Sequence, residues 1–141
     1  MTTSTPAPGA TLTRTWPAEL GTWNRYAAVN DEFYPVHMDH EAARAAGMPA
    51  AFGMGNLQVA YFNALLDDWI RESTDGRRTG RVERLSVGFR SPSLPGSVVA
   101  TASVTEVSDD GPATTVRLDL RSVDGAGTEL CTGTAVIRLD G

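Results

Sequence analysis

The chain holds two histidines, His37 and His40, and both lie in or beside the stretch NDEFYPVHMD, Asn30 to Asp39. Two carboxylates, Asp31 and Glu32, precede His37 across a proline-containing segment. A neutral imidazole beside a carboxylate can hold one water between them and exchange protons with it near neutral pH. A loop through proline lets both side chains converge, which a regular strand or helix at this separation would not ensure. Asp31 and Glu32 are alternative partners for His37, since one acid suffices. The neighbouring groups have simpler readings. Asp39 suits the N-cap of a short helix, HEAARAA. His40 falls on the first turn of that helix and is expected to be exposed. His37, Asp39 and His40 would not easily converge on a metal from within one loop.

The elements that must position these groups divide the chain in two. From about Trp16 to Glu72 the pattern is helical with loops; from about Arg81 onward it is β. Trp23, Tyr26, Ala27 and Asn30 predict a short helix leading into the acidic pair, and Gly47 followed by Pro49 ends HEAARAA. In FGMGNLQVAYFNALLDDWI, Leu57, Tyr61, Ala64, Leu65 and Trp69 recur at helical spacing, and Ala60 and Phe62 widen the stripe. This should be the longest helix and mostly covered. After STDGRRTG the period changes to two: Leu85, Val87 and Phe89 alternate with smaller or polar residues, and SPSLPG makes a turn. SVVATASVTEV, TTVRLDLRSV and ELCTGTAVIRL follow as strands, joined by turns typical of antiparallel pairs. A further short strand is expected near Thr11 to Trp16. The sum is an α+β fold, an antiparallel sheet wrapped around one long central helix, with open edges that commonly continue across a dimer interface.

A length of 141 residues suits one domain, expected over residues 11–141 behind a disordered tail of residues 1–10. The net charge is −5 and all 12 basic residues are arginine, without a basic cluster, which argues against a nucleic-acid or anionic-membrane binder. The apolar run from Phe52 to Leu66 is interrupted by Asn56, Gln58 and Asn63, so it reads as a buried helix, not a membrane span. MTTSTPAPGAT has neither the charged start nor the apolar stretch of a signal peptide, and a cytoplasmic protein is expected. A lone cysteine, Cys131, excludes an internal disulfide framework and any multi-Cys metal site; it is expected to be a buried, inert thiol. Arg77, Arg78, Arg81 and Arg84 suit either a solvated loop or contacts with phosphates.

Tyr26, an acidic residue, Pro35-Val36-His37 with Asp39 two positions on, AARAAG and a glycine-containing helix start follow one another in an order that resembles the MaoC-like (R)-specific enoyl-thioester hydratases and dehydratases. FRSPSLPG is similar to the same family, and the resemblance runs from about Trp23 to Leu139. The family usually reads Gly-Asp-x-Asn-Pro-[Ile/Val]-His. Laid without gaps, Glu32 takes the aspartate position, Asp31 the glycine position and Tyr34 the asparagine position. A slide of one residue would make Asp31 the acid, with one extra residue before the proline. Where members often have His-Gly, this chain has Phe52-Gly53.

The resemblance implies the hotdog fold and interconversion of trans-2-enoyl and (R)-3-hydroxyacyl thioesters of CoA or a carrier protein. It implies His37 with Glu32 or Asp31 as catalytic groups, and Gly53, Met54, Gly55, Asn56, Tyr34 and Phe52 around the substrate. The enolate oxygen would meet free N–H groups at the start of the long helix, with the Gly53 N–H pointing at the carbonyl. Neither metal nor redox cofactor is required. The expected assembly is a homodimer, or a heteromer with another MaoC-like chain in which this one has little activity alone. A hotdog thioesterase and a biosynthetic dehydratase/cyclase are the alternatives on the same scaffold.

Overall fold

In the computed structural model, which describes residues 6–141, the chain begins with β1 (Thr11–Ala18), α1 (Leu20–Asn30), α2 (Pro35–Met38) and α3 (His40–Ala45). The long helix α4 (Gly55–Ser73) follows, then β2 (Gly80–Phe89), β3 (Gly96–Asp110), β4 (Ala113–Asp124) and β5 (Glu129–Leu139). The five strands form one antiparallel sheet in the order β1-β3-β4-β5-β2. Within it β1 pairs only with β3, and β2 only with β5. Residues 1–5 of the expected tail lie outside the described residues. Just after them, Gly9 N–H donates to Val104 O at 2.8 Å and Val104 N–H to Ala10 O at 2.9 Å, which extends the β1–β3 pairing.

Helix α4 supplies the centre. Leu57, Gln58, Tyr61, Phe62, Leu65, Leu66, Trp69 and Ile70 are buried, the stripe that period 3.6 demands, although Ala64 falls on the solvent side. The sheet answers with an alternating inner face: Val98, Ala100, Ala102 and Val104 from β3, Val116, Leu118 and Leu120 from β4, and Ala135, Ile137 and Leu139 from β5. Several of these are alanine, which leaves room for the helix to sit close. Trp16 of β1 stacks on Tyr61, with ring centroids 4.5 Å apart and planes 13° apart. Among the described residues no helix is long and apolar enough to cross a membrane.

The first half of the chain closes one end of this arrangement. Helix α1 begins at Leu20, earlier than its apolar spacing predicts, and buries Trp23 and Ala27. The proline segment is not a loop: Pro35 sits in the first turn of the one-turn helix α2, where its missing N–H costs nothing. Asp39 caps α3 as expected, its Oδ1 accepting the Glu41 N–H at 2.8 Å, and Gly47 follows the helix at φ +90°.

Phe62 is fully buried between helix and sheet, so Phe62→Ala should cost about 3–5 kcal/mol of stability. Denaturant unfolding of the two proteins would measure it.

Candidate active site

Helix α1 ends in a way that separates the two carboxylates. Asp31 adopts φ 52° and ψ 44°, the left-handed region, and its N–H donates to Ala27 O. Glu32 N–H donates to the same carbonyl at 3.1 Å. A left-handed residue just past a helix is usually glycine, with Asn and Asp the best tolerated substitutes. Asp31 therefore occupies a conformation that glycine adopts without steric cost. Its side chain is exposed. Glu32 is half-buried, and its Oε2 accepts from Asn30 Nδ2 at 2.9 Å. Burial pushes the Tyr26 phenol above its ordinary pKa and the Glu32 charge adds to this, so the carboxylate lies within electrostatic reach of Tyr26.

His37 is held from both sides. Its main-chain N–H donates to Tyr34 O at 3.0 Å, and its ring Nδ1 lies 2.7 Å from Phe52 O. A carbonyl oxygen only accepts, so Nδ1 carries a proton, and in the neutral ring the lone pair lies on Nε2. Phe52 in turn donates its N–H to Val36 O at 3.3 Å, and its ring meets the imidazole edge-on, with centroids 4.9 Å apart at 82°. His40 is not the exposed residue expected: it is half-buried, and its Nδ1 accepts the Ala51 N–H at 3.1 Å. The two histidines are thus fixed in opposite tautomers, and both fasten the segment that leads into α4.

That segment corrects the expectation for Gly53. Helix α4 starts at Gly55, and the Gly53 N–H is already committed to Ser93 O at 2.8 Å. The glycine is needed for packing, because a Cβ there would lie 2.9 Å from Trp23 Nε1 and 3.4 Å from Ser93 Cβ. Met54, at the N-cap, offers no side-chain oxygen, so the first N–H groups of the helix, on Gly55 and Asn56, have no side-chain cap.

A cavity of about 330 Å³ opens beside this helix start, near the lower end of the roughly 300–1,000 Å³ usual for small-molecule sites. Phe52, Gly53 and Gly55 line it together with Gln58, Phe89, Ser93 and Cys131. Of the residues anticipated around a substrate, Met54 is fully buried in the core, Tyr34 and Asn56 project to solvent, and only Phe52, Gly53 and Gly55 line the cavity. A larger hollow of about 510 Å³ lies on the outer face of the sheet, around Thr101, Asp119 and Arg121, and includes none of the anticipated residues. Gln58, Ser93 and Phe89 were not anticipated. The one available signal was Gln58, a polar residue on the apolar stripe. Cys131 is buried as expected; burial raises its thiol pKa, and the Ser122 hydroxyl works against that. Arg78 donates to Asp140 O at 2.7 Å, to Leu139 O at 3.1 Å and to Thr114 Oγ1 at 3.1 Å, which makes it a clasp for the last strand.

A sheet wrapped on one helix, with an imidazole and a half-buried carboxylate ahead of that helix, defines a hotdog-type α+β protein. The family model for the MaoC like domain matches residues 4–124, and the chain belongs to that family. Among solved structures it is similar to the (R)-hydratase from A. caviae involved in PHA biosynthesis, at 23% identity over 94% of this chain and 96% of that one, with TM-score 0.78. R-hydratase PhaJ1 from Pseudomonas aeruginosa aligns at 22% identity over 94% and 81%, with TM-score 0.76. The ChsH1-ChsH2 complex from Mycobacterium tuberculosis aligns at 18% over 95% and 97%, with TM-score 0.75. These similarities place the fold as hotdog. No curated protein sequence matches the chain.

Two substitutions test the local architecture. Gly53→Ala should lower stability by about 1–3 kcal/mol through overpacking against Trp23. Asp31→Gly should raise it by up to about 1 kcal/mol, by relieving a left-handed residue that bears a side chain. Thermal unfolding reads both.

Proposed function

We propose that the chain is an acyl-thioester hydratase/dehydratase interconverting trans-2-enoyl and (R)-3-hydroxyacyl thioesters, with His37 and Glu32 as its acid–base pair. The observation that carries this reading is the Nδ1–Phe52 bond, which selects for the neutral ring of His37 the tautomer whose lone pair is on Nε2. Glu32 is the partner because it is half-buried and stands at the family's acid position, whereas the Asp31 carboxylate is exposed on a helix cap.

In hydration, a water held by Glu32 gives its proton to His37 Nε2 as its oxygen bonds to the β-carbon. The electron pair of the double bond moves toward the thioester oxygen, where the N–H groups of Gly55 and Asn56 and the positive end of α4 meet the growing charge. A proton returns to the α-carbon through the same pair, which ends in its starting state. Dehydration runs these steps in reverse. The acyl group would occupy the cavity between Gly53, Gly55 and Phe89. No step requires a metal or redox cofactor.

A second reading has one specific support. Val29, Phe33 and Tyr34 are 86%, 57% and 68% exposed, close in sequence to Glu32, and an apolar surface there suits burial against another chain. The chain would then be one subunit of a heteromer, an arrangement that the names of the ChsH1-ChsH2 and HadBC structures record for those proteins. A homodimer built through the free edge of β1 or β2 is the alternative assembly.

Purified protein incubated with crotonyl-CoA and longer enoyl-CoAs should consume the enone absorbance without releasing free thiol. Thiol release would point to hydrolysis, and a folded but inert protein would sink the reading unless a second MaoC-like chain restores activity. His37→Ala and Glu32→Gln should each lower kcat/KM by about 10²–10⁴, the usual worth of a positioned acid or base. Asp31→Asn should stay near the parent.

A further inference from the structure

The cavity beside α4 is lined mostly by apolar surface, but two buried polar side chains, Gln58 and Ser93, also line it. Gln58 lies one helical turn beyond Gly55, about 4.5 Å further along the axis, and only 5% of it is exposed. Its Oε1 accepts from Ser122 Oγ at 3.4 Å, the outer limit of a hydrogen bond, and its amide nitrogen carries two further donors. Ser122 and Cys131 face each other across β4 and β5, beside a shift in the strand register. On the other wall Ser93 is 4% exposed, and its Oγ has no hydrogen-bond partner among the described residues. A buried hydroxyl without a partner is left poorly compensated for its lost water, and an amide bonded only at the distance limit keeps spare hydrogen-bonding capacity. Both polar groups line one cavity, and Gln58 does so from a helix face that is otherwise apolar.

We infer that this cavity selects acyl groups carrying a hydrogen-bonding oxygen, a hydroxyl or keto group a few carbons beyond the thioester, with Gln58 as the discriminating residue and Ser93 as a second contact. The inference rests on the acyl-thioester reading above. An all-hydrocarbon tail would cover the Gln58 amide without bonding it, whereas an oxygenated tail accepts its N–H in a cavity that the unpartnered Ser93 hydroxyl also lines. Discrimination follows from the penalty for the wrong tail as much as from the bond to the right one.

The test uses ligands that cannot be hydrated, so that binding is read independently of turnover. Full-length protein is titrated calorimetrically with hexanoyl-CoA, 5-hydroxyhexanoyl-CoA and 5-oxohexanoyl-CoA. At least one oxygenated ligand should bind about tenfold more tightly than hexanoyl-CoA, the worth of one good buried hydrogen bond. Gln58→Met, similar in length and apolar, should shrink that ratio to within about twofold while hexanoyl-CoA binds at least as well as before. Ser93→Ala, a smaller change, should reduce the ratio in part and covers the case in which the first variant does not fold. Equal binding of all three ligands by the parent, or an unchanged ratio in both variants, overturns the inference and leaves the thioester reading standing. Binding of none of them overturns both.

Discussion

The position of His37 relative to the start of α4 depends on the main chain of one residue, Phe52. Its N–H donates to Val36 O and its carbonyl accepts from His37 Nδ1, so α2 and the approach to α4 are tied in both directions. A hydrogen bond in each direction fixes orientation as well as distance. His40 adds a third tie through the Ala51 N–H, one residue earlier. Because the ring nitrogen that points at a carbonyl must carry the proton, the same latch that aligns two segments also sets the tautomer. Structure and protonation are one constraint here.

The scaffold beneath that latch is ordinary, and it was legible for ordinary reasons. The 3.6 period of α4 and the period-two strands follow from one-sided burial, which the order of apolar and polar residues records directly. The cap at Asp39 and the stop at Gly47 were equally visible, since each relies on a side chain or backbone freedom particular to its residue type. What periodicity misplaced were boundaries and short elements. Helix α1 starts three residues before Trp23, and the PVH segment is a helical turn. Four residues cannot show a period, and a proline at the first helical position looks the same as a proline in a loop.

The site was legible in part. The residue types capable of acid–base work near His37 could be named, but their roles turned on a dihedral angle. At φ 52° Asp31 is a helix terminator that happens to be acidic, and nothing in residue type distinguishes it from its neighbour Glu32. Gly53 shows the reverse difficulty. A glycine near a helix start suggests room for a ligand, yet the space beside it is filled by Trp23, thirty residues earlier in the chain, and its N–H by Ser93, forty residues later. Gln58, Ser93 and Cys131 come from a helix, a turn and a strand, and only the fold brings them to one cavity.

Two of the positions at which the chain departs from the family pattern gain a common explanation. Tyr34 stands where asparagine is usual and Phe52 where histidine is usual, and both work on His37 through main-chain atoms: Tyr34 O takes its N–H and Phe52 O takes its Nδ1–H. A side-chain exchange leaves those acceptors in place. The Tyr34 side chain turns outward into solvent, and the Phe52 ring keeps an edge-on contact with the imidazole. The acid position is different, because there the side chain itself would do the chemistry. Glutamate at residue 32 is one methylene longer than aspartate, so the same backbone delivers its carboxylate to a different point. That carboxylate accepts from Asn30 Nδ2, a single hydrogen bond from two residues earlier that restrains the longer side chain, and its charge is felt by the Tyr26 phenol. The main-chain latch and the side chain at residue 32 are therefore under unequal constraint: the first tolerates any side chain that fits, while the reach of the second changes with its length.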